Sequence, residues 1–329
     1  MKYFLGIDQG GTKSQVAICA EDGSFIGAAT GEASISYLDD PGNKTTVMIR
    51  RIAEKILTDA GLSWDCLSAV CGGISGIDWP HEVPIHEDRL RSVLKLDNII
   101  AVNDCIIAMR AGSAAPNRCI VCAGTAINIA AQDYVYGWFI SYRLHGGAAL
   151  GCQVRDVVID AEVGVRPPTM LTDALLSCFG CTSVEEFLVG TTTNRIAFTP
   201  QSVVPGLLNA FLAGDEAARE IIDEFIKGLA SYLENAVTRF FPPLSAEDEE
   251  CKAELVYSGG VFKGNGRLIT DALTNILSKK FPRLRFVNAR LEPVCGALLM
   301  QLEKYYAGNI PCSIIETFEN GCKQHKLIR

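Results

Sequence analysis

The chain of 329 residues contains no apolar run approaching the roughly 18 residues needed to cross a bilayer. Its opening apolar stretch, Tyr3-Phe4-Leu5-Gly6-Ile7, stops at Asp8. That is too short for a secretory leader, and no small-residue cleavage site follows. A cytoplasmic protein with no membrane partner is therefore expected. Blocks of Lys and Arg are also missing, and the formal net charge is −8, so no nucleic-acid partner is expected. The 13 cysteines are scattered, as expected of small buried apolar residues in a reducing compartment. Two pairs have Cys-x-x-Cys spacing, Cys119/Cys122 and Cys178/Cys181, but no second pair or histidine set completes a tetrahedral zinc site around either. The first pair lies in an apolar run read as a strand, where positions three apart face opposite sides. A Walker-type phosphate loop is absent. Gly73-Ile74-Ser75-Gly76 lacks the second spaced glycine of a serine-hydrolase elbow.

Present instead is a globular composition, with 48% hydrophobic and 21% charged residues and 30 glycines, in a chain long enough for two domains. Periodicity and turn signals predict strands at 2–7, 14–19 and 24–29, with an Asp22-Gly23 turn. A helix is predicted over 44–60, where Met48, Ile52, Ile56 and Ala60 recur every four residues and Gly61 stops it. A strand at 67–71, a helix at 87–95, a strand at 98–102 and a helix at 105–111 complete the order βββαβαβα. The order recurs with strands at 119–122, 128–131 and 136–142, a mostly helical stretch over 153–240, a strand at 254–257, a helix at 266–279, a strand at 285–287 and a helix at 292–306. The reading is a duplicated α/β unit: residues 1–114 and 115–306, the second carrying a helical insertion, with the final helix expected to reach back onto the first. The tail 307–329 shows no period, and the acidic run Glu247 to Glu250 beside Pro242 and Pro243 reads as a solvated loop. A duplicated unit predicts a ligand cleft between its halves.

Four segments carry chemistry. In Asp8-Gln9-Gly10-Gly11-Thr12-Lys13, a strand runs through an acid into a glycine turn. Gly10 and Gly11 let backbone N–H groups approach a phosphate, Thr12 adds a hydroxyl, and Asp8 is suited to Mg²⁺ through water. Asn103-Asp104 ends a buried strand where a helix begins, so Asp104 is either a general base facing the cleft or part of a helix cap. Gly124-Thr125 mirrors the first glycine turn in the second half, and Ser258-Gly259-Gly260 ends a later strand where close backbone approach would suit adenine and ribose.

In this order the four segments resemble the phosphate, catalytic and adenosine motifs of the sugar-kinase/actin-like superfamily. The chain is most similar there to the BadF/BadG/BcrA/BcrD-type ATPases, which include N-acetylglucosamine kinases. Glu292-Pro293-Val294-Cys295-Gly296-Ala297-Leu298 is similar to that family's final-helix opening, and the resemblance spans about residues 2–300. It implies two ribonuclease-H-like (actin-like ATPase) domains with ATP and Mg²⁺ in the cleft. It also implies Asp104 as catalytic base and a small-molecule acceptor, a sugar or amino sugar. Gly10, Gly11, Thr12, Lys13, Gly124 and Thr125 would hold phosphates, and Ser258, Gly259 and Gly260 adenosine. Ser75, Gly76, Asn103, Asn128, His145 and Gly147 would lie at the acceptor. A homodimer follows by family analogy. The family also contains nucleotide-driven reductase activators, an alternative reading, as is an ATP-binding relative with impaired transfer.

The resemblance fails on the acceptor side. Relatives carry Gly-Thr-Gly-Ser-Asn where this chain has Gly124-Thr125-Ala126-Ile127-Asn128. They carry Gly-Asp-Glu-Gly-Ser where it aligns Gly151-Cys152-Gln153-Val154-Arg155, and an asparagine that falls here near Ile35 or Ser36. An altered acceptor site is expected, with Arg155, Asp156 or His145 as replacement contacts.

Overall fold

The structure, a computed structural model, describes residues 1–141, 146–241 and 252–328. The first half runs β1 (Tyr3–Gln9), β2 (Ser14–Ala20), β3 (Phe25–Gly31), α1 (Lys44–Asp59), β4 (Leu67–Ile74), α2 (Glu82–Leu94), β5 (Ile99–Asn103) and α3 (Asp104–Gly112). Its sheet has the order β3-β2-β1-β4-β5. β1 to β3 are antiparallel neighbours, and β1, β4 and β5 are parallel. Every residue of β2 is buried, because helices cover both faces of the sheet. On one face Ile7, Val16 and Ile18 meet Ile49 and Ala53 of α1.

The second half repeats the plan with β6 (Arg118–Ala123), β7 (Ile127–Ala131) and β8 (Tyr134–Val135). Its helical insertion follows as α4 (Trp138–Ser141), α5 (Gly147–Glu162), α6 (Leu171–Phe179), α7 (Val184–Thr192), α8 (Val204–Leu212) and α9 (Glu216–Phe240). β9 (Ala253–Ser258), α10 (Arg267–Lys280), β10 (Leu284–Asn288), α11 (Pro293–Tyr305) and α12 (Cys312–Gln324) complete the chain. The sheet order β10-β9-β6-β7-β8 matches the first, strand for strand. The duplicated βββαβαβα plan is thus the observed architecture.

α11 lays Val294, Leu298 and Leu302 against Phe4, Ala17 and Ala69 of the first sheet. α3 lies between the sheets, with Cys105, Ile106 and Met109 packed with Ile120 and Val256, and Ile107 with Cys71 and Ala297. The two helices meet closely: a Cβ on Gly296 would lie 1.8 Å from the Ile107 carbonyl oxygen. Arg110 on α3 and Glu303 on α11 form an ion pair at 2.7 Å.

Several elements differ from the sequence expectation. The strand expected over 136–142 is not found among its described residues; the third strand, β8, is Tyr134–Val135 and ends before that range. Gly137 turns the chain at φ 49, and α4 follows. α2 starts at Glu82 rather than 87, since its carboxylate accepts the N–H groups of Asp78 and Trp79 and Pro84 sits in the tolerant first turn. The first long helix of the insertion, α5, starts at Gly147 rather than 153. The tail forms α12, whose buried Phe318 packs on Phe25 with ring centroids 5.0 Å apart. Among the described residues no helix is long and apolar enough to cross a membrane. Tyr142, His145 and the acidic run with its two prolines lie outside the described residues.

Candidate nucleotide and acceptor site

In the first sheet Gln9, Ile74 and Asn103 stand in register across three parallel strands. The next residues, Gly10, Ser75 and Asp104, therefore leave from one edge. Open α/β sheets collect ligands beyond the carboxyl ends of their strands. The β1–β2 hairpin closes at the Gln9 and Ser14 pair, and the Gly10 N–H donates to the Lys13 carbonyl at 3.1 Å. The β6–β7 hairpin closes at Ala123 and Ile127, and the Gly124 N–H donates to the Ala126 carbonyl at 2.9 Å. A Cβ on Gly11, Gly124 or Gly260 would meet nothing within 4 Å, so each backbone faces open space.

Both hairpins border one cavity of about 530 Å³, in the range usual for small-molecule sites. Thr12 comes from the first half; Gly124, Thr125, Gly147 and Gly260 come from the second. One wall is apolar, built from Val204, Pro205, Leu208 and Val261; Gln201, Asn209, Lys263 and Asn265 add polar groups. The Asn265 amide donates to the Asn209 amide oxygen at 2.7 Å, tying α8 to the loop after β9. Gly259 adopts φ +110, and a Cβ there would lie 2.2 Å from the Ala123 carbonyl oxygen. Only glycine lets β9 exit this close across the end of β6, which sets Gly260 beside the Gly124 turn. Ser258 is buried at the end of β9 and does not line the cavity. Lys13 does not line it either: its ammonium stands 3.3 Å from Glu292 at the start of α11. The α8 wall had no sequence signal of its own: Pro205 marks only the start of that helix.

Asp104 is the first residue of α3, and the Asn103 side chain caps that helix by accepting the Cys105 N–H at 2.9 Å. The Asp104 carboxylate also lies against the backbone N–H groups of Asp104 and Cys105 at the start of that helix. Beside it stands Asp78, in the turn between β4 and α2. Asp78 Oδ1 accepts from the Asn103 amide at 3.3 Å and from the Asn128 amide, on β7, at 3.4 Å. Asn128 Nδ2 also approaches Asn103 Oδ1 at 3.4 Å, and Asn128 Oδ1 accepts the Gly137 N–H at 3.0 Å. Burial and the Asp78 charge push Asp104 up to about 6. Burial and the Glu82 charge push Asp78 up to about 6, against the Asn128 hydrogen bond. Ser75 and Gly76 continue from β4 on the same edge, the Ser75 N–H donating to the Gln9 carbonyl at 3.0 Å. Sequence reasoning missed Asp78; its signal is an acid shortly after the glycine-rich end of β4.

Asp8 lies near the end of β1, buried and opposite Gln15 and Gly73. Asp8 does not itself line the cavity, but a carboxylate one turn from Thr12 has the oxygen chemistry that Mg²⁺ takes, since that ion keeps several waters and needs few protein ligands. Among the described residues no three His, Cys, Asp or Glu side chains gather to hold a metal by themselves.

The segment aligned as Gly151 to Arg155 lies inside α5 rather than at its start. Gly151 is a packing glycine, where a Cβ would lie 1.8 Å from the Pro200 carbonyl oxygen. Arg155 donates to Asp156 at 2.8 and 2.7 Å and covers the Phe198 ring, so these two pair with each other. The Ile35 N–H is bound to Thr45 Oγ1 at 3.1 Å, and Ser36 Oγ accepts the Leu38 N–H at 3.4 Å.

No protein-family model matches the chain. It is 24% identical over 325 residues to the N-acetylmuramic acid/N-acetylglucosamine kinase of Clostridium acetobutylicum, covering 91% of this chain and 98% of that one. It is 23% identical to the N-acetyl-D-glucosamine kinase of Dictyostelium discoideum, covering 92% and 98%. Among solved structures, a candidate N-acetylglucosamine kinase from Chromobacterium violaceum superposes with a TM-score of 0.64 at 21% identity, over 91% of this chain and 99% of that one. The chain has the sugar-kinase, actin-like ATPase fold. That fold extends to a ROK-family glucokinase from Streptomyces griseus solved with glucose and AMPPNP, with a TM-score of 0.56 at 16% identity over 90% and 98% of the chains.

Proposed function

We propose that this protein is an ATP-dependent sugar kinase, transferring the γ-phosphoryl group of ATP to a hydroxyl of an amino sugar of the N-acetylglucosamine type. The observation that carries the reading is the single cavity bordered by Thr12 of one hairpin and by Gly124 and Thr125 of its counterpart in the other half. Two opposed N–H-rich turns suit a polyphosphate, and the apolar wall of Val204, Pro205, Leu208 and Val261 suits a purine. The amino-sugar kinases that the chain resembles over nearly their whole length support the same class of substrate.

In this reading Thr12 of the first turn and Gly124 and Thr125 of the second orient the phosphates, and Gly260 passes close to the ribose. Asp8 would be the residue to hold Mg²⁺, which would supply neutralisation of charge on the phosphate oxygens. Asp104 accepts the proton of the attacking hydroxyl. Little covalent work remains for the protein, so positioning and charge neutralisation dominate. The test is ADP release over a panel of sugars and amino sugars, with Asp104→Asn beside the parent protein. Sugar-stimulated release that this change abolishes supports the kinase. Release independent of any sugar overturns it.

A further inference from the structure

The acceptor end of the cleft holds a carboxylate that neither the phosphate nor the adenosine motifs explain. Asp78 receives two amide donors, Asn103 from the first half and Asn128 from the second, and both converge on Oδ1. Among the described residues Oδ2 has no protein donor, and it is not a buried orphan atom. One oxygen is thus fixed while the other stays accessible. The turn that carries the residue is held firmly. Glu82 Oε2 accepts the N–H groups of Asp78 at 2.8 Å and Trp79 at 2.9 Å, and Glu82 Oε1 accepts the Tyr37 hydroxyl at 3.2 Å. From the other half Gly137 presses on the turn so closely that a Cβ there would lie 2.8 Å from the Asp78 carbonyl oxygen. A side chain fixed through one oxygen on a rigid turn, beside the proposed base, is pre-organised to receive a donor on the other.

We propose that Asp78 selects the acceptor, its free oxygen accepting a hydrogen bond from a second sugar hydroxyl while Asp104 takes the proton of the attacking one. This rests on the kinase reading above. The neighbouring carboxylates also disfavour an anionic group at this end of the acceptor, since like charges there would repel. The site so described takes an uncharged polyol. Asp78 supplies an acidic acceptor contact at a position unrelated to the aligned segment in α5. A purely structural role, clasping the halves together, would leave sugar selectivity untouched.

The experiment measures kcat/KM for N-acetylglucosamine and its 3-deoxy and 4-deoxy analogues, in the parent protein and in Asp78→Asn, with ATP affinity by calorimetry as the folding control. The parent protein is expected to lose about 10- to 100-fold on one deoxy analogue, the scale of a hydrogen bond to a charged group. Asp78→Asn is expected to lose a similar factor on N-acetylglucosamine and almost nothing further on that analogue, with ATP affinity kept. Asp78→Ser replaces it if the asparagine variant fails to fold. Retention of the parental selectivity in the folded variant overturns the role of Asp78 alone. Absence of any N-acetylglucosamine turnover in the parent protein overturns the kinase reading for this substrate, and the inference with it.

Discussion

The amide of Asn128 lies 3.4 Å from the carboxylate of Asp78, one residue from each half of the molecule. Asn103 completes the group from the cap of α3, so the acceptor end of the cleft is a polar junction rather than an open gap. After burial, the charge of Asp78 is what raises Asp104, and this has a measurable consequence. Asp78 and Asp104 are both pushed up to about 6, and a base must be ionised to accept a proton. kcat/KM is expected to be level above that pH and to fall on acidification through it. In Asp78→Asn the neighbouring charge that raises Asp104 is gone, so the acidic limb moves to lower pH. A limb that stays in place in this variant would contradict the coupling.

The same upward displacement has the opposite sign for stability. An acid whose value is raised on folding favours the folded state in its protonated form. That contribution is complete below the ordinary carboxylate value and is lost as pH rises through about 6. Asp104→Asn is therefore expected to melt above the parent protein at pH 8, with the gap closing towards pH 4. Thermal unfolding across that range measures it, and an equal gap at all pH values refutes it.

Asp104→Asn should also lower turnover by about 10²- to 10⁴-fold, the usual worth of a positioned general base. ATP affinity should change little, because Asp104 is not among the residues lining the cavity proposed to take nucleotide. Steady-state kinetics and titration calorimetry separate the two quantities.

Gly259→Ala attacks the nucleotide end. At φ +110, and with a Cβ only 2.2 Å from the Ala123 carbonyl oxygen, the loop must move. Strain of about 1–3 kcal/mol is expected, with a weakened ATP site because Gly260 shifts away from the Gly124 turn. Denaturant unfolding and nucleotide titration test both effects.

Phe318→Ala probes the tail. Phe318 is fully buried against Phe25, and removing such a ring costs about 3–5 kcal/mol. A loss near zero would mean that α12 does not help cover the first sheet.

Much of this architecture was legible in the residues themselves. Strand and helix periods gave both copies of the plan, since β1, β2, β6 and β9 are buried on both faces and read as apolar runs. The glycine turns were legible because paired and spaced glycines follow apolar strands at each of them, though only at Gly259 does packing against backbone exclude a side chain. Asp78 was not, since a turn residue has no period and its partner Asn128 is distant in sequence. The Gly151 to Arg155 alignment misled for a related reason. A glycine conserving space against Pro200 in a helix looks, in one dimension, like a glycine opening a ligand loop. The third strand was placed too late, at 136–142, because aromatic residues there favour strands, whereas Gly137 redirects the chain into α4 after β8.

Gly296 has a mechanical meaning. The backbone of α11 touches that of α3, and the chain passes between the sheets just after α3 and again just before α11. The α3–α11 contact therefore works as a pin joining the two sheets, and any side chain at position 296 would have to push the two helices apart.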